Sequence, residues 1–418
     1  MIVLKILVIL NFFILGLYMC RHAIFALNRL FTRQKRIYLG IEDAPLPSVA
    51  ILVPAHNEES VIADSLQALM RLDYPQELYQ VFAVNDRSKD RTKEIIDGIV
   101  AKFPGRIIPV HRTGGKPGKA AALNEVCQTL TCDVIVIFDA DYLPTPSLLK
   151  NLVSPFLDPA VGGVMGRVVP LNVNSNILTR MLDLERSGGY QVDQQARMNM
   201  DLIPQFGGTV GGARKKALDD IGGWNDDVLS EDTDLTLRLF LKNWKVVYQN
   251  TAECYEEVPE TWTVRIKQVR RWAKGHNHVF INETWNLLRS KLDFWKKFDG
   301  LLLLGIYFLS PLCLVTWILA LILFFKDEST IALISIHLMP LLMFSSLGNF
   351  GLYLETAAAV WLDGFRGRIR LLPLGLVFFF TGLIVISDAL LRQMFWELPL
   401  KKKMVWDKTT RFRKGPTT

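Results

Sequence analysis

Cysteine and histidine are scarce in this chain, at five and six among 418 residues, and no Cys-x-x-Cys pair occurs. The cysteines (Cys20, Cys127, Cys132, Cys254, Cys313) are scattered, which supports neither a zinc site nor a disulfide framework and suits a reducing compartment. His276 and His278 stand two apart on a predicted helix and point to different faces, so they read as polar interfacial residues and not as a metal pair. Charge is also sparse, at 21% of residues. Lys and Arg form no single stripe but flank apolar segments (Arg29, Arg33, Lys35, Arg36; Lys291, Lys296, Lys297; Lys401, Lys402, Lys403). The net charge of +7 is therefore assigned to cytoplasmic membrane flanks, and no nucleic-acid partner is expected. The loop Gly114-Gly115-Lys116-Pro117-Gly118-Lys119-Ala120 lacks two Walker residues, with Thr113 in place of the first glycine and Ala120 in place of Ser or Thr. An ATPase is excluded, although the lysines remain candidates for binding phosphates.

Long apolar runs are present, and they lie at the ends. Residues 6–20 form one with a single polar side chain, no small-residue cleavage site after it and a basic cluster beyond. An anchor over 1–30 fits this better than a signal peptide. Residues 301–325, 331–347 and 371–391 are also long enough to span, which gives four crossings, with the domain after the first inside the cell. Residues 352–362, carrying Glu355, are expected as a short interfacial helix. The basic residues from Lys401 to Lys414 would then face outward, against the positive-inside tendency, so a re-entrant or additional crossing stands as the alternative. The expected organisation is a membrane helix (1–30), a cytoplasmic domain (45–260), interfacial amphipathic helices (261–298), C-terminal membrane helices (299–396) and a basic tail (397–418).

From Ser48 onward, short β-rich runs at 49–53, 79–84, 107–111 and 134–139 alternate with helical stretches at 60–71, 91–103 and 119–129. This is an α/β pattern with a mainly parallel sheet, whose ligands bind at the carboxyl ends of the strands. Polar residues stand at those ends: Asn57 and Glu58, Asp86, the segment from His111 to Lys119, and Asp139 with Asp141. Four such ends in succession favour a shared ligand site over helix caps.

Three motifs carry chemistry. The strand Val136-Ile137-Phe138 runs into Asp139-Ala140-Asp141, carboxylates placed to hold Mg²⁺ or Mn²⁺ against a diphosphate, or else solvated at a turn. Ser230-Glu231-Asp232 precedes a helical run and follows the small-residue stretch Gly207-Gly208-Thr209-Val210-Gly211-Gly212. Asp232 there is a candidate base, and Ser230 a candidate cap with the two acids complementing the helix dipole. Gln268-Val269-Arg270-Arg271-Trp272 lies on a basic amphipathic helix over 263–280, which alone reads as a membrane-surface anchor.

In this order, with a membrane span following, these motifs resemble those of the processive family-2 glycosyltransferases, such as the cellulose, mannan, hyaluronan and poly-N-acetylglucosamine synthases. The early Asp, Asp-x-Asp, (Thr/Ser)-Glu-Asp and Gln-x-x-Arg-Trp of that family are matched by Asp86, by Asp139 and Asp141, by Ser230 to Asp232, and by Gln268, Arg271 and Trp272. The resemblance implies a GT-A, Rossmann-like domain in a multi-pass protein of the cell membrane. Its donor would be a nucleotide sugar, with Asn57, Glu58 and Asp86 at the uridine and Asp139 and Asp141 at the metal and diphosphate. Lys119 and Arg271 would stabilise the leaving group, and Asp232, with Glu231 beside it, would deprotonate the acceptor. Gln268 and Trp272 would line the acceptor side, as would Gly208 and Thr209, where the match is looser because aromatic and cysteine residues of cellulose synthases are absent. The implied reaction is inverting transfer of a hexose or N-acetylhexosamine to a growing polysaccharide, coupled to export and to accessory export subunits. Addition of one sugar to a lipid carrier or glycolipid is the alternative, and a silent membrane subunit a third reading.

Overall fold

The run Val-Ala-Ile-Leu-Val-Pro-Ala at Val49–Ala55 is apolar on both faces and almost wholly buried, as a central parallel strand must be. In a computed structural model, which describes residues 2–35, 45–326, 353–400 and 410–413, it is the first of eight strands in one sheet. They are β1 (Val49–Ala55), β2 (Tyr79–Asp86), β3 (Ile107–Arg112), β4 (Val134–Ile137), β5 (Leu143–Pro144), β6 (Val161–Pro170), β7 (Gly211–Arg214) and β8 (Lys245–Glu256), in the order β3-β2-β1-β4-β7-β6-β8-β5. β1 lies parallel to β2 and to β4, with Ile51 opposite both Val81 and Val136, and β2 lies parallel to β3. The helices Ile62–Leu69, Thr92–Val100 and Lys119–Cys127 form the connections, close to the expected spans.

Beyond β4 the mainly parallel expectation is corrected. β7 runs antiparallel to both β4 and β6, β8 is parallel to β6, and β5 is antiparallel to β8, so the sheet is mixed. The reversal passes through Gly211 and Gly212, where a Cβ would meet the Val164 and Ile135 carbonyls at 2.7 and 2.8 Å. Two glycines carry little strand propensity, and the strand is recognisable only from its close approach to its neighbours.

Alternate residues of the strands feed two cores. Ile51, Val81, Val136 and Val164 pack with Ile62, Leu66 and Ile96 on one face, and Leu52, Val84, Ile135 and Ile137 with Leu123, Leu235 and Leu239 on the other. Burying each such side chain is worth about 1.5–3 kcal/mol, so the strand ends above the cores are held rigidly.

Three helices, Ile2–Phe31, Phe294–Phe324 and Arg366–Glu397, are long and apolar enough to cross a membrane. They coincide with three of the four expected crossings; the fourth, at 331–347, lies outside the described residues. The segment expected as an interfacial helix is the helix Tyr353–Leu362, but Glu355 is fully buried and lies 2.8 Å from His22 of the first helix. Beside it, Asp299 accepts from Arg21 at 2.7 Å and from Arg197 at 2.6 Å, tying the first helix, the domain and the helix Phe294–Gly305 together.

The helix expected over 263–280 spans Trp262–Arg289. Val269 and Ala273 on its apolar face pack with Tyr307, Ile386 and Leu390, so it is docked between the sheet and the apolar helices rather than lying free. His276 also differs from the interfacial expectation: it is buried and bonded to the Leu303 carbonyl at 3.0 Å, beside the buried Asn277, which donates to Gln393 at 2.7 Å.

Candidate active site

β1, β2 and β4 end at one side of the sheet, and their polar extensions border a cavity of about 1360 Å³. Glu58, Asp86, Asp139 and Asp141 line it from the strand ends, with Lys119 from the helix that follows β3. Gly208, Thr209, Glu231 and Asp232 close a second wall, and Gln268, Arg271 and Trp272 a third. Residues drawn from positions 58 to 272 thus meet in one space. Asn57 stands apart: it does not line the cavity, and its side-chain oxygen accepts from the Lys89 amide at 2.7 Å, bracing the turn after β1 with a φ of 56°.

Asp86 is buried at the end of β2, where it accepts from Arg112 at 2.7 Å, from the Gly118 amide at 3.0 Å and from Arg87 at 2.9 Å. Burial opposes its ionisation, but these bonds and charges outweigh it and hold the carboxyl below its usual range. Arg112 was not recognised from sequence, although its place at the end of the third parallel strand is a usable signal.

Lys119 joins three motifs. Its Nζ lies 2.6 Å from Asp139, 2.8 Å from the Gly208 carbonyl and 3.9 Å from Glu231. Burial disfavours the ammonium, but Asp139 and Glu231 outweigh it and raise its pKa. The Asp139 amide donates to the Thr209 hydroxyl at 3.0 Å, which fixes the Asp-x-Asp turn to the small-residue stretch.

Asp141 is 2% exposed, and its Oδ1 has no hydrogen-bond partner among the described residues. Burial pushes its carboxyl up to about 7 against the pull of Arg411, with Asp139 and Glu58 adding to the rise. An orphaned carboxylate oxygen beside two more carboxyl groups is a hard-oxygen donor set, and it fits Mg²⁺ or Mn²⁺.

Ser230 makes no side-chain cap on the helix Glu231–Leu241, contrary to the capping alternative. It packs instead on Gly275, where any Cβ would collide with its hydroxyl, and so brings the Ser-Glu-Asp segment against the helix Trp262–Arg289. Asp232 lies against Gly208, whose φ is 76° and whose missing Cβ would stand 3.1 Å from Asp232 Oδ2. Burial raises the pKa of both acids, that of Glu231 to about 7.

Trp272 is held between two guanidinium groups, Arg186 at 5.3 Å and Arg265 at 5.1 Å from the ring centroid. Arg265 is itself fixed by Glu185 at 2.6 Å and donates to Gln268 at 2.8 Å. Burial lowers the pKa of Arg271, opposed by Glu231 and Asp139. The arrangement provides a carboxylate pair able to accept a proton and cations able to bind an anionic leaving group, across one cavity.

Comparison with known proteins agrees with this chemistry. Residues 47–275 match the family described as "Glycosyltransferase like family 2". The chain is 34% identical to the "Probable glycosyltransferase YdaM" of Bacillus subtilis over 255 residues, 60% of each protein. It is also 34% identical to a "Beta-monoglucosyldiacylglycerol synthase" of Synechocystis sp. over 253 residues, 60% of this chain and 52% of that one. The chain thus spans less than two thirds of the length of these curated relatives. Among solved structures, a mannosyltransferase from Pyrobaculum calidifontis in complex with GDP-Man and Mn²⁺ aligns with a TM-score of 0.58 at 20% identity, covering 94% of this chain and 99% of that one. Its fold is that of the GT-A glycosyltransferases. With the family match extending over more than half of its length, the chain is an enzyme belonging to the family-2 glycosyltransferases.

Proposed function

We propose that the protein is a multi-pass enzyme of the cell membrane that transfers one hexosyl group, with inversion, from a nucleotide-diphosphate sugar to the hydroxyl of a lipid acceptor such as a diacylglycerol. The observation that carries this reading is the composition of the cavity. It runs from the carboxylates to Ile306 and Tyr307 of one candidate crossing and to Leu372 and Phe378 of another, so one space meets both a charged donor and an acyl chain. The relative named as a monoglucosyldiacylglycerol synthase supports the same acceptor class. Processive extension of a polysaccharide, expected from the motifs, has less support, and accessory export subunits have no part in this reading. The basic flank after the first helix supports a cytoplasmic catalytic domain.

In this mechanism Glu58 and Asp86 hold the nucleoside end of the donor. Asp139 and Asp141 would hold Mg²⁺ or Mn²⁺, which when bound neutralises diphosphate charge. Asp232 takes the proton from the acceptor hydroxyl as its oxygen bonds to the anomeric carbon. The anomeric bond to the diphosphate breaks on the opposite face, and Lys119 and Arg271 receive the charge released there. Gln268 and Trp272 orient the acceptor. The test is to supply purified protein with radiolabelled nucleotide sugars and either diacylglycerol vesicles or oligosaccharide acceptors. Label extracted into organic solvent as a single-sugar lipid is expected, whereas label in a water-soluble polymer would overturn the reading.

A further inference from the structure

Arg411 lines the catalytic cavity, and the two residues after it bond to its wall. Arg411 Nη1 donates to Asp141 Oδ2 at 2.8 Å and its Nε to Glu58 Oε2 at 3.3 Å. Arg413 Nη2 donates to the Asp141 carbonyl at 2.8 Å, and the Phe412 and Arg413 amides both donate to Glu257. The Arg411 side chain is only 16% exposed, so this is a seated segment and not a surface contact. Its guanidinium stands on the Asp141 carboxylate that would hold a divalent ion, with Glu58 beside it, and it meets the same need: a cation among buried carboxylates. A guanidinium bonded to Asp141 Oδ2 and a divalent ion drawn to the same carboxylate repel each other as like charges within a few ångströms.

We propose that residues 411–413 form a built-in plug that competes with the divalent cation for the Asp141 carboxylate, so that the cation and the plug each weaken the other's hold. Competition of this kind is reciprocal: the fraction of molecules with the plug seated lowers apparent metal affinity by the same factor by which metal drives the plug out. The inference rests on the assignment of Asp141 as a metal ligand.

The test reads metal binding alone, without turnover. Free Mn²⁺ is titrated by electron paramagnetic resonance into full-length protein, comparing the unaltered chain with Arg411→Ala, Arg411→Glu and Asp141→Ala. Both arginine variants are expected to bind Mn²⁺ at least ~3-fold more tightly, the glutamate most clearly because it repels the cluster. Asp141→Ala is expected to lose binding. Unchanged or weaker Mn²⁺ binding in the arginine variants overturns the plug while leaving the metal assignment intact. Unchanged binding in Asp141→Ala overturns the metal assignment and the plug with it. Unfolding of both arginine variants in a thermal melt also overturns it, since Arg411 would then be holding the structure together.

Discussion

The Lys119 ammonium lies 2.6 Å from Asp139 and, through the same nitrogen, 2.8 Å from the Gly208 carbonyl. One side chain therefore sets the spacing between the Asp-x-Asp turn and the segment that supports Asp232. Lys119→Met removes that cation from among Asp139, Glu231 and Asp232. Steady-state kinetics are expected to show kcat reduced by about 10²- to 10³-fold, the range for loss of one charge-stabilising group.

Asp232→Asn is expected to reduce transfer by about 10²- to 10⁴-fold while UDP binding measured by calorimetry stays near normal, because a base is removed without a change of shape. Loss of UDP binding would make Asp232 a donor ligand.

The two donor-side carboxylates are expected to behave differently. Asp141→Ala should weaken UDP binding in Mn²⁺ but change little in EDTA, since it acts through the ion. Asp86→Ala should lose binding under both conditions, because Asp86 is tied to Arg112 and the Gly118 amide. Calorimetry in the two buffers separates them.

Acidity gives a fourth test. Burial lifts the Glu231 carboxyl from 4.5 to about 7. The folded protein therefore binds more protons than the unfolded chain between these values, and the stability this group contributes is present below pH 4.5 and lost as the pH rises through about 7. Glu231→Gln should flatten that dependence and raise the melting temperature at pH 8 relative to the unaltered protein. Transfer by the unaltered enzyme should fall as the pH drops below about 7, as the acid pair takes up a proton.

On the helix Trp262–Arg289 the neighbours Arg270 and Arg271 face different surroundings. Arg270 is paired with Asp388 on the outside and its side chain is 47% exposed, whereas Arg271 lines the cavity. Arg271→Ala and Trp272→Ala should each collapse turnover in protein that still folds, and Arg270→Ala should be mild. Equal effects from both arginines would return the motif to a membrane-anchoring role.

What was legible in the sequence was local. Asp139 with Asp141, Glu231 with Asp232, and Gln268 with Arg271 and Trp272 each lie within a few positions, at strand ends or helix turns whose period is readable. The four parallel strands could be read because their apolar residues are contiguous. β7 was not, because glycines record only how closely a neighbour approaches. Arg186 against Trp272 and Arg411 against Asp141 bridge 86 and 270 positions; nothing in a local pattern encodes such pairs, which depend on how helices return over the sheet. Asn57 combines two roles that a local pattern does not separate: its position at a strand end suits a ligand contact, and its left-handed backbone and bond to the Lys89 amide brace a turn.

The bridge from Arg21 to Asp299, with Arg197 on the same carboxylate, also makes part of this seam depend on a residue far along the chain. Asp299 lies nearly three hundred residues after Arg21, beyond the catalytic motifs, whereas the second carboxylate near both arginines, Asp193, stands within the catalytic domain, 3.6 Å from Arg21. Without Asp299 the two guanidinium groups would have to share Asp193, and a buried charge left without its partner costs about 3–5 kcal/mol. A chain cut before Asp299 would keep every catalytic motif and still lack one of the groups that tie the first helix to the domain, leaving the Arg29 bond to the Gln191 carbonyl and the pairing of Arg21 with Asp193 to hold it.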